Sequence, residues 1–136
     1  MTHSFSMDNQ ITKYDVIRDI PKRAMVIFAH PDDAEIGAGA TAAHWSSAGC
    51  EITYVQCTTG SSGSNDTKMT SNRIVSIRAI EQRAAADIIG VGEIIVLNHP
   101  DGELEANLTF LGEVVHVLRK YRPCLLYTSP SPRDRG

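Results

Sequence analysis

Between Ala29 and Glu35 the chain reads Ala-His-Pro-Asp-Asp-Ala-Glu, which sets one imidazole, His30, beside three carboxylates, Asp32, Asp33 and Glu35. Like charges crowded this closely are unfavourable unless a cation or a protonated partner offsets them. A divalent metal is the economical answer. Nitrogen mixed with carboxylate oxygen suits Zn²⁺, or Fe²⁺, better than an all-oxygen Mg²⁺ or Ca²⁺ site. Pro31 fixes the turn, so that His30 and Asp33, three apart, can face one point while Asp32 faces another. The bland alternative is a solvated acidic cap, in which Asp33 and Glu35 favour the positive end of a following helix.

Two further features carry charge where chemistry could use it. On a helical wheel of about 100° per residue, Ile74, Ile77, Ala84, Ala85, Ile88 and Ile89 form one stripe, with Glu81 inside it and Arg78 at its edge. Charges facing a core are costly unless paired or used by a site. Either the two form an i,i+3 ion pair, or Arg78 reaches a ligand while Glu81 orients that ligand or the metal loop. In Asn98-His-Pro-Asp-Gly-Glu-Leu104, the Asp101-Gly102 pair signals a tight turn. Asp101 is a candidate acceptor for ligand hydroxyls, and His99 reads as a surface or supporting residue, with a third metal ligand as the alternative. Gly37-Ala-Gly-Ala-Thr-Ala42 satisfies the relaxed dinucleotide fingerprint, but its first glycine does not directly follow a strand, and Gln56-Cys57-Thr58 offers no acidic ribose ligand. Those glycines read instead as close packing of a helix on a sheet.

The elements that must position these residues alternate. Ala24–Ala29 is a short continuous apolar run, as expected of a strand buried on both faces. A helix over Glu35–Ala48, a strand over Ile52–Thr58, a polar loop over Thr59–Thr70 and a helix over Ser71–Ile89 follow. A strand over Glu93–Asn98, a loop over His99–Ala106 and a helix over Asn107–Tyr121, capped by Asn107 and stopped by Pro123, complete the pattern. This β-α-β-α-β-α order predicts right-handed crossovers and a parallel sheet in an α/β, Rossmann-like, three-layer α/β/α fold. Such sheets bind ligands at the C-terminal ends of their strands, so the loops after the three strands converge on one rim.

A fourth strand should begin after Pro123, but Leu125-Leu-Tyr127 runs into Ser-Pro-Ser-Pro, which cannot continue a central strand. The sheet is therefore expected to be truncated after about three strands. Residues 1–23 read as an N-terminal arm and 24–123 as the N-terminal part of one α/β domain. Residues 124–136 read as a non-native tail, because CLLYTSPSPRD back-translates into a string resembling a transposon-end sequencing adapter.

Composition narrows the function classes. A length of 136 residues allows one domain or part of one. With 42% hydrophobic and 21% charged residues, the chain is neither a disordered polyelectrolyte nor a membrane protein, and no apolar run is long enough to span a bilayer. A net charge of −3 disfavours nucleic acid and leaves a small-molecule partner. Cys50, Cys57 and Cys124 are odd in number without C-x-x-C spacing, and Met1–Gln10 has no secretory h-region, which together predict a reducing, cytoplasmic setting.

Taken together, the motifs resemble the PIG-L/LmbE-like family of zinc-dependent N-deacetylases, which act on N-acetylglucosamine-containing conjugates. The resemblance runs from Arg23 to about Pro123 and rests on HPDDAEIGAGA (His30 to Ala40), on Arg78-x-x-Glu81 before an Ala-rich run to Gly90, and on Pro-Asp-Gly-Glu-Leu (Pro100 to Leu104). It implies His30 and Asp33 as zinc ligands, Asp32 as general base, Arg78 and Asp101 as residues holding an amino-sugar conjugate, and Glu35 and Glu81 in support. Two departures accompany it. The family's third ligand comes from a C-terminal His-rich motif with no counterpart here, and Thr59-Gly60 stands where many relatives have an acidic residue before glycine. With two of three protein ligands, the chain is expected to bind metal weakly and turn over little. The rival from another class is a non-catalytic sugar- or nucleotide-binding βαβ module.

Overall fold

A computed structural model describes residues 17–129 of the chain. Most of the expected N-terminal arm, and the tail beyond Ser129, lie outside the described residues. The elements are β1 (Arg23–Phe28), α1 (Asp33–Ser47), β2 (Glu51–Thr58), α2 (Ser71–Ile89), β3 (Glu93–His99), α3 (Leu108–Tyr121) and β4 (Leu125–Thr128). The strands form one parallel sheet in the order β3-β2-β1-β4.

The sheet is one strand larger than expected. Leu125-Leu-Tyr-Thr128 pairs with β1 in the register Ala24↔Leu125 to Ile27↔Thr128. Four residues of aliphatic, aromatic and β-branched character suffice for a short edge strand, and the Ser-Pro run falls beyond it. β1 is thereby an interior strand, with β2 on one side and β4 on the other.

Side-chain alternation along β1 and β2 builds two cores. Ala24, Val26, Phe28, Ile52 and Tyr54 point to the face covered by α1 and α2, where they meet Ala34, Ala42 and Ala86. Met25, Ile27, Val55 and Cys57 point to the opposite face and meet Val117, Val114 and Leu118 of α3. Burying each large apolar side chain contributes about 1.5–3 kcal/mol. Small residues let α1 lie close to the sheet. A Cβ on Gly37 would come within 2.8 Å of the Tyr127 hydroxyl, whereas one on Gly39 would make only ordinary contacts. The close-packing reading of this glycine run therefore holds at Gly37.

Helix caps follow the sequence. Thr70 accepts a hydrogen bond from the Arg73 amide at 3.3 Å, and Asn107 accepts one from the Phe110 amide at 3.0 Å. The buried face of α2 differs from the wheel. Ile74, Gln82 and Ala86 are buried, while Ile77, Ile80, Ile88 and Glu81 are exposed. Arg78 and Gln82 face the interior because the loop after β1 supplies partners for both, and this turns the helix away from its most apolar stripe.

Candidate active site

The site hangs from the end of β1. Both the amide of Thr58, at 2.9 Å, and its hydroxyl, at 2.8 Å, donate to the Ala29 carbonyl, and Gln56 Nε2 donates to the Thr58 carbonyl at 2.7 Å. These bonds clamp the C-terminal ends of β1 and β2 together just before His30. The β2 and β3 loops are joined in turn by the Thr59 amide, which donates to the His99 carbonyl at 3.0 Å. The three loops expected at the rim do converge.

Asp32 adopts the left-handed backbone conformation, with φ 81°. A non-glycine residue pays roughly 1–2 kcal/mol for that geometry. Two residues of α2 offset it. The Asp32 amide donates to Gln82 Oε1 at 3.0 Å, and Arg78 Nη2 donates both to the Pro31 carbonyl at 3.1 Å and to Asp32 Oδ2 at 3.3 Å. On the other side of the turn, the His30 amide donates to Asp33 Oδ2 at 3.0 Å. Asp32 and Asp33 are thereby split: one carboxylate turns toward α2 and the other stays with His30, the division expected from the sequence.

His30 lies between two carboxylates. Its Nε2 is 2.8 Å from Asp101 Oδ1, and its Nδ1 is 3.6 Å from Asp33 Oδ2. The second separation is too long for a hydrogen bond. It matches the spacing of two ligands on one tetrahedral zinc, which at bonds of about 2.1 Å lie about 3.4 Å apart. His30 and Asp33 therefore suit a shared metal. Asp101 sits on the opposite edge of the ring, as a carboxylate does when it orients a metal-bound histidine. Among the described residues no group of three His, Cys, Asp or Glu side chains converges on one metal position.

The supporting residues fall differently from expectation. Glu81 does not face the core; it is exposed, beside a small cleft of about 150 Å³ lined by Asp32, Glu35, Arg78 and Gln82 among others. Arg78 pairs with Asp32 across the cleft, so the i,i+3 alternative with Glu81 is replaced by an ion pair between elements. Arg78 also packs against the loop after β2: its guanidinium lies where a Cβ on Gly63 would be in contact, and a Cβ on Gly60 would come within 2.8 Å of Pro31. Glu35 Oε1 accepts from Gln82 Nε2 at 2.8 Å, while its Oε2 is buried without a partner, as is the hydroxyl of Tyr54. Burial, and secondarily the charge of Glu35, pushes the Tyr54 phenol up to about 12. His99 serves as a support, with its Nε2 2.5 Å from Glu113 Oε2 and its ring edge-on to Phe110.

Gln82 is the residue the sequence reading overlooked. It is 4% exposed, lies four residues after Arg78, and is polar on a buried face. That last property is its signal, which an apolar stripe drawn through the isoleucines hides.

Comparison with known proteins bears on this geometry. Residues 25–135 match the family described as PIG-L: GlcNAc-PI de-N-acetylase. A diacetylchitobiose deacetylase of Thermococcus kodakarensis is 34% identical over 102 residues, covering 75% of this chain and 38% of that protein. The structure of N,N'-diacetylchitobiose deacetylase from Pyrococcus horikoshii superposes with a TM-score of 0.77 at 30% identity, covering 90% of this chain and 43% of that one. A 4-carboxy-2-hydroxymuconate hydratase from Pseudomonas putida superposes with a TM-score of 0.71 at 25% identity, over 77% of this chain and 45% of the other. The chain thus spans less than half the length of these relatives. No helix among the described residues is long and apolar enough to cross a membrane.

Proposed function

The chain belongs to the PIG-L family, and on that premise we propose that it carries the catalytic loop of a zinc-dependent deacetylase, which removes the acetyl group from an N-acetylglucosamine-type conjugate. The observation that carries the reading is the division of labour around one turn. His30 and Asp33 lie at ligand spacing, while Asp32 is held apart by Arg78 and Gln82.

His30 and Asp33 would hold the metal, and Asp101 would fix the histidine ring from its other nitrogen. Bound zinc supplies Lewis acidity for the amide carbonyl and makes a coordinated water easier to deprotonate. Asp32, displaced from the ligand pair, accepts a proton from the attacking water and returns it to the departing amine, so that acetate and a free amine leave. Arg78 holds the Asp32 carboxylate by a hydrogen bond at 3.3 Å and, with Asp101, borders the space for the sugar. The hydratase relative, whose named reaction also adds water, supports a water-activating role for this loop.

The same reading divides the chain at Pro123, treats residues 124–136 as adapter-derived, and sets the protein in the cytoplasm. The buried thiols of Cys50 and Cys57 support the last point. An independent read of the gene through the Arg122-Pro123 codons tests the division; a reproduced CLLYTSPSPRDRG ending overturns it.

Zinc should bind this chain weakly, since among the described residues two donors rather than three share one point. A tight stoichiometric titration overturns that. With zinc in excess and N,N'-diacetylchitobiose as probe, Asp32→Asn should cut amine release by about 10²–10⁴-fold and leave zinc binding intact, whereas His30→Ala should abolish zinc binding. Sugar binding without amine release, unchanged by Asp32→Asn, would identify a non-catalytic module instead.

A further inference from the structure

We infer that Gln82 is a positioning residue for the general base: its side-chain amide fixes the backbone of Asp32 and anchors it to Glu35. The inference rests on the deacetylase reading above.

The hydrogen bonds assign the amide without ambiguity. A backbone N–H can only donate, so the Gln82 atom facing the Asp32 amide is the oxygen, at 3.0 Å. A carboxylate can only accept, so the atom facing Glu35 Oε1 is the nitrogen, at 2.8 Å. Each contact demands the orientation that the other requires. The side chain is itself 4% exposed, so water does not compete freely for either bond.

Position adds to chemistry. Gln82 and Arg78 are one helical turn apart on α2, and they grip Asp32 at different points, the amide by one and the carboxylate by the other. Arg78 holds the oxygen of the Pro31–Asp32 peptide at 3.1 Å and Gln82 holds its nitrogen at 3.0 Å. Gln82 thereby fixes the edge of that peptide that Arg78 does not reach, and with it the left-handed turn at Asp32. Its second bond reaches Glu35 on α1, so the turn is braced between the two helices that flank it.

The test exchanges donor for acceptor. Gln82→Leu keeps bulk and loses both bonds; Gln82→Glu still accepts from the Asp32 amide but sets two carboxylates against each other; the double variant Gln82→Glu/Glu35→Gln restores the bond between positions 82 and 35 with its polarity reversed, keeps the bond from the Asp32 amide, and leaves the net charge unchanged. With zinc in excess and N,N'-diacetylchitobiose as probe, both single variants should lower kcat about 10–100-fold, with KM within about twofold, and the double variant should recover to within about threefold. Hydrogen exchange at the Asp32 amide, read by NMR on the same proteins, should quicken in Gln82→Leu and slow again in the double variant. Unchanged kcat and unchanged Asp32 protection in Gln82→Leu overturn the inference, as does a double variant no better than Gln82→Glu. Where the parent chain itself releases no amine, Asp32 protection alone decides whether Gln82 holds the turn, and the deacetylase reading is tested by zinc binding in His30→Ala instead.

Discussion

The two faces of the sheet use different kinds of residue. Under α3 the contacts are apolar: Met25, Ile27, Val55 and Cys57 meet Val117, with Phe110, Val114, Leu118 and Tyr121 closing the edges. Under α1 and α2 the core is apolar near the base of the strands, but toward the rim it turns polar, with Gln56, Thr58 and Gln82 buried. α3 turns Phe110, Val114, Val117 and Leu118 to the sheet and leaves Leu108 and Leu111 outside, whereas α2 leaves Ile77 and Ile88 of its apolar stripe exposed so that Arg78 and Gln82 can reach the loop after β1. Where hydrogen-bond partners wait inside, polar side chains compete with aliphatic ones for the interior. A helix wheel counts only the aliphatic ones.

Substitutions can sharpen this contrast or break it. The largest effect is expected on the face under α3: Val117→Asp buries a charge among apolar side chains and should cost about 3–5 kcal/mol, read as loss of the cooperative melt. Alkaline pH comes next. Burial, and then the charge of Glu113, pushes the Cys57 thiol from 9.0 up to about 11, and the Tyr54 phenol is raised from 10.0 to about 12 on the other face. Both groups are raised acids, so above about pH 9 the unfolded chain releases protons that the folded chain retains. Stability should then fall as pH rises through 9 to 12, by on the order of 2 kcal/mol per group, which denaturant midpoints at stepped pH would record; a flat profile would mean that neither group stays protonated. On the polar-bearing face, Tyr54→Phe removes a buried hydroxyl without a partner and should stabilise the protein by about 1 kcal/mol. The smallest effect is the most diagnostic for the comparison: Ile88→Lys should change stability by less than about 0.5 kcal/mol. A cost of several kcal/mol there would restore the wheel.

Element order, the cap of α3 and the rim of three loops were legible because each has a local cause: apolar runs bounded by turn residues, Asn107 at a helix start, and Pro31 and Pro123 as breaks. The separation of Asp32 from Asp33 was legible as well, since Pro31 and adjacent carboxylates leave few other arrangements. The facing of α2 was not, because it depends on hydrogen bonds between residues some fifty positions apart, which no local periodicity encodes. β4 was half legible. Leu125-Leu-Tyr has strand character, but its place beside β1 is set by an open edge that only the assembled sheet presents. Asp101 was found for its position on the rim, while its contact with the His30 ring needed the turn after β3 to be built.

Gly60 sits with φ 68° against the ring of Pro31, where a Cβ would come within 2.8 Å of Cδ and 2.9 Å of Cγ. That contact divides the Thr59–Thr70 loop into a root that cannot change and a span that can. In a saturation scan, every replacement at Gly60 should register as damage to the turn bearing His30 and Asp32, although Gly60 carries no reactive group. Exposed positions farther along, such as Ser62 and Asn65, can exchange freely, so the outer span of the loop could be regrafted without disturbing the turn that carries His30 and Asp32.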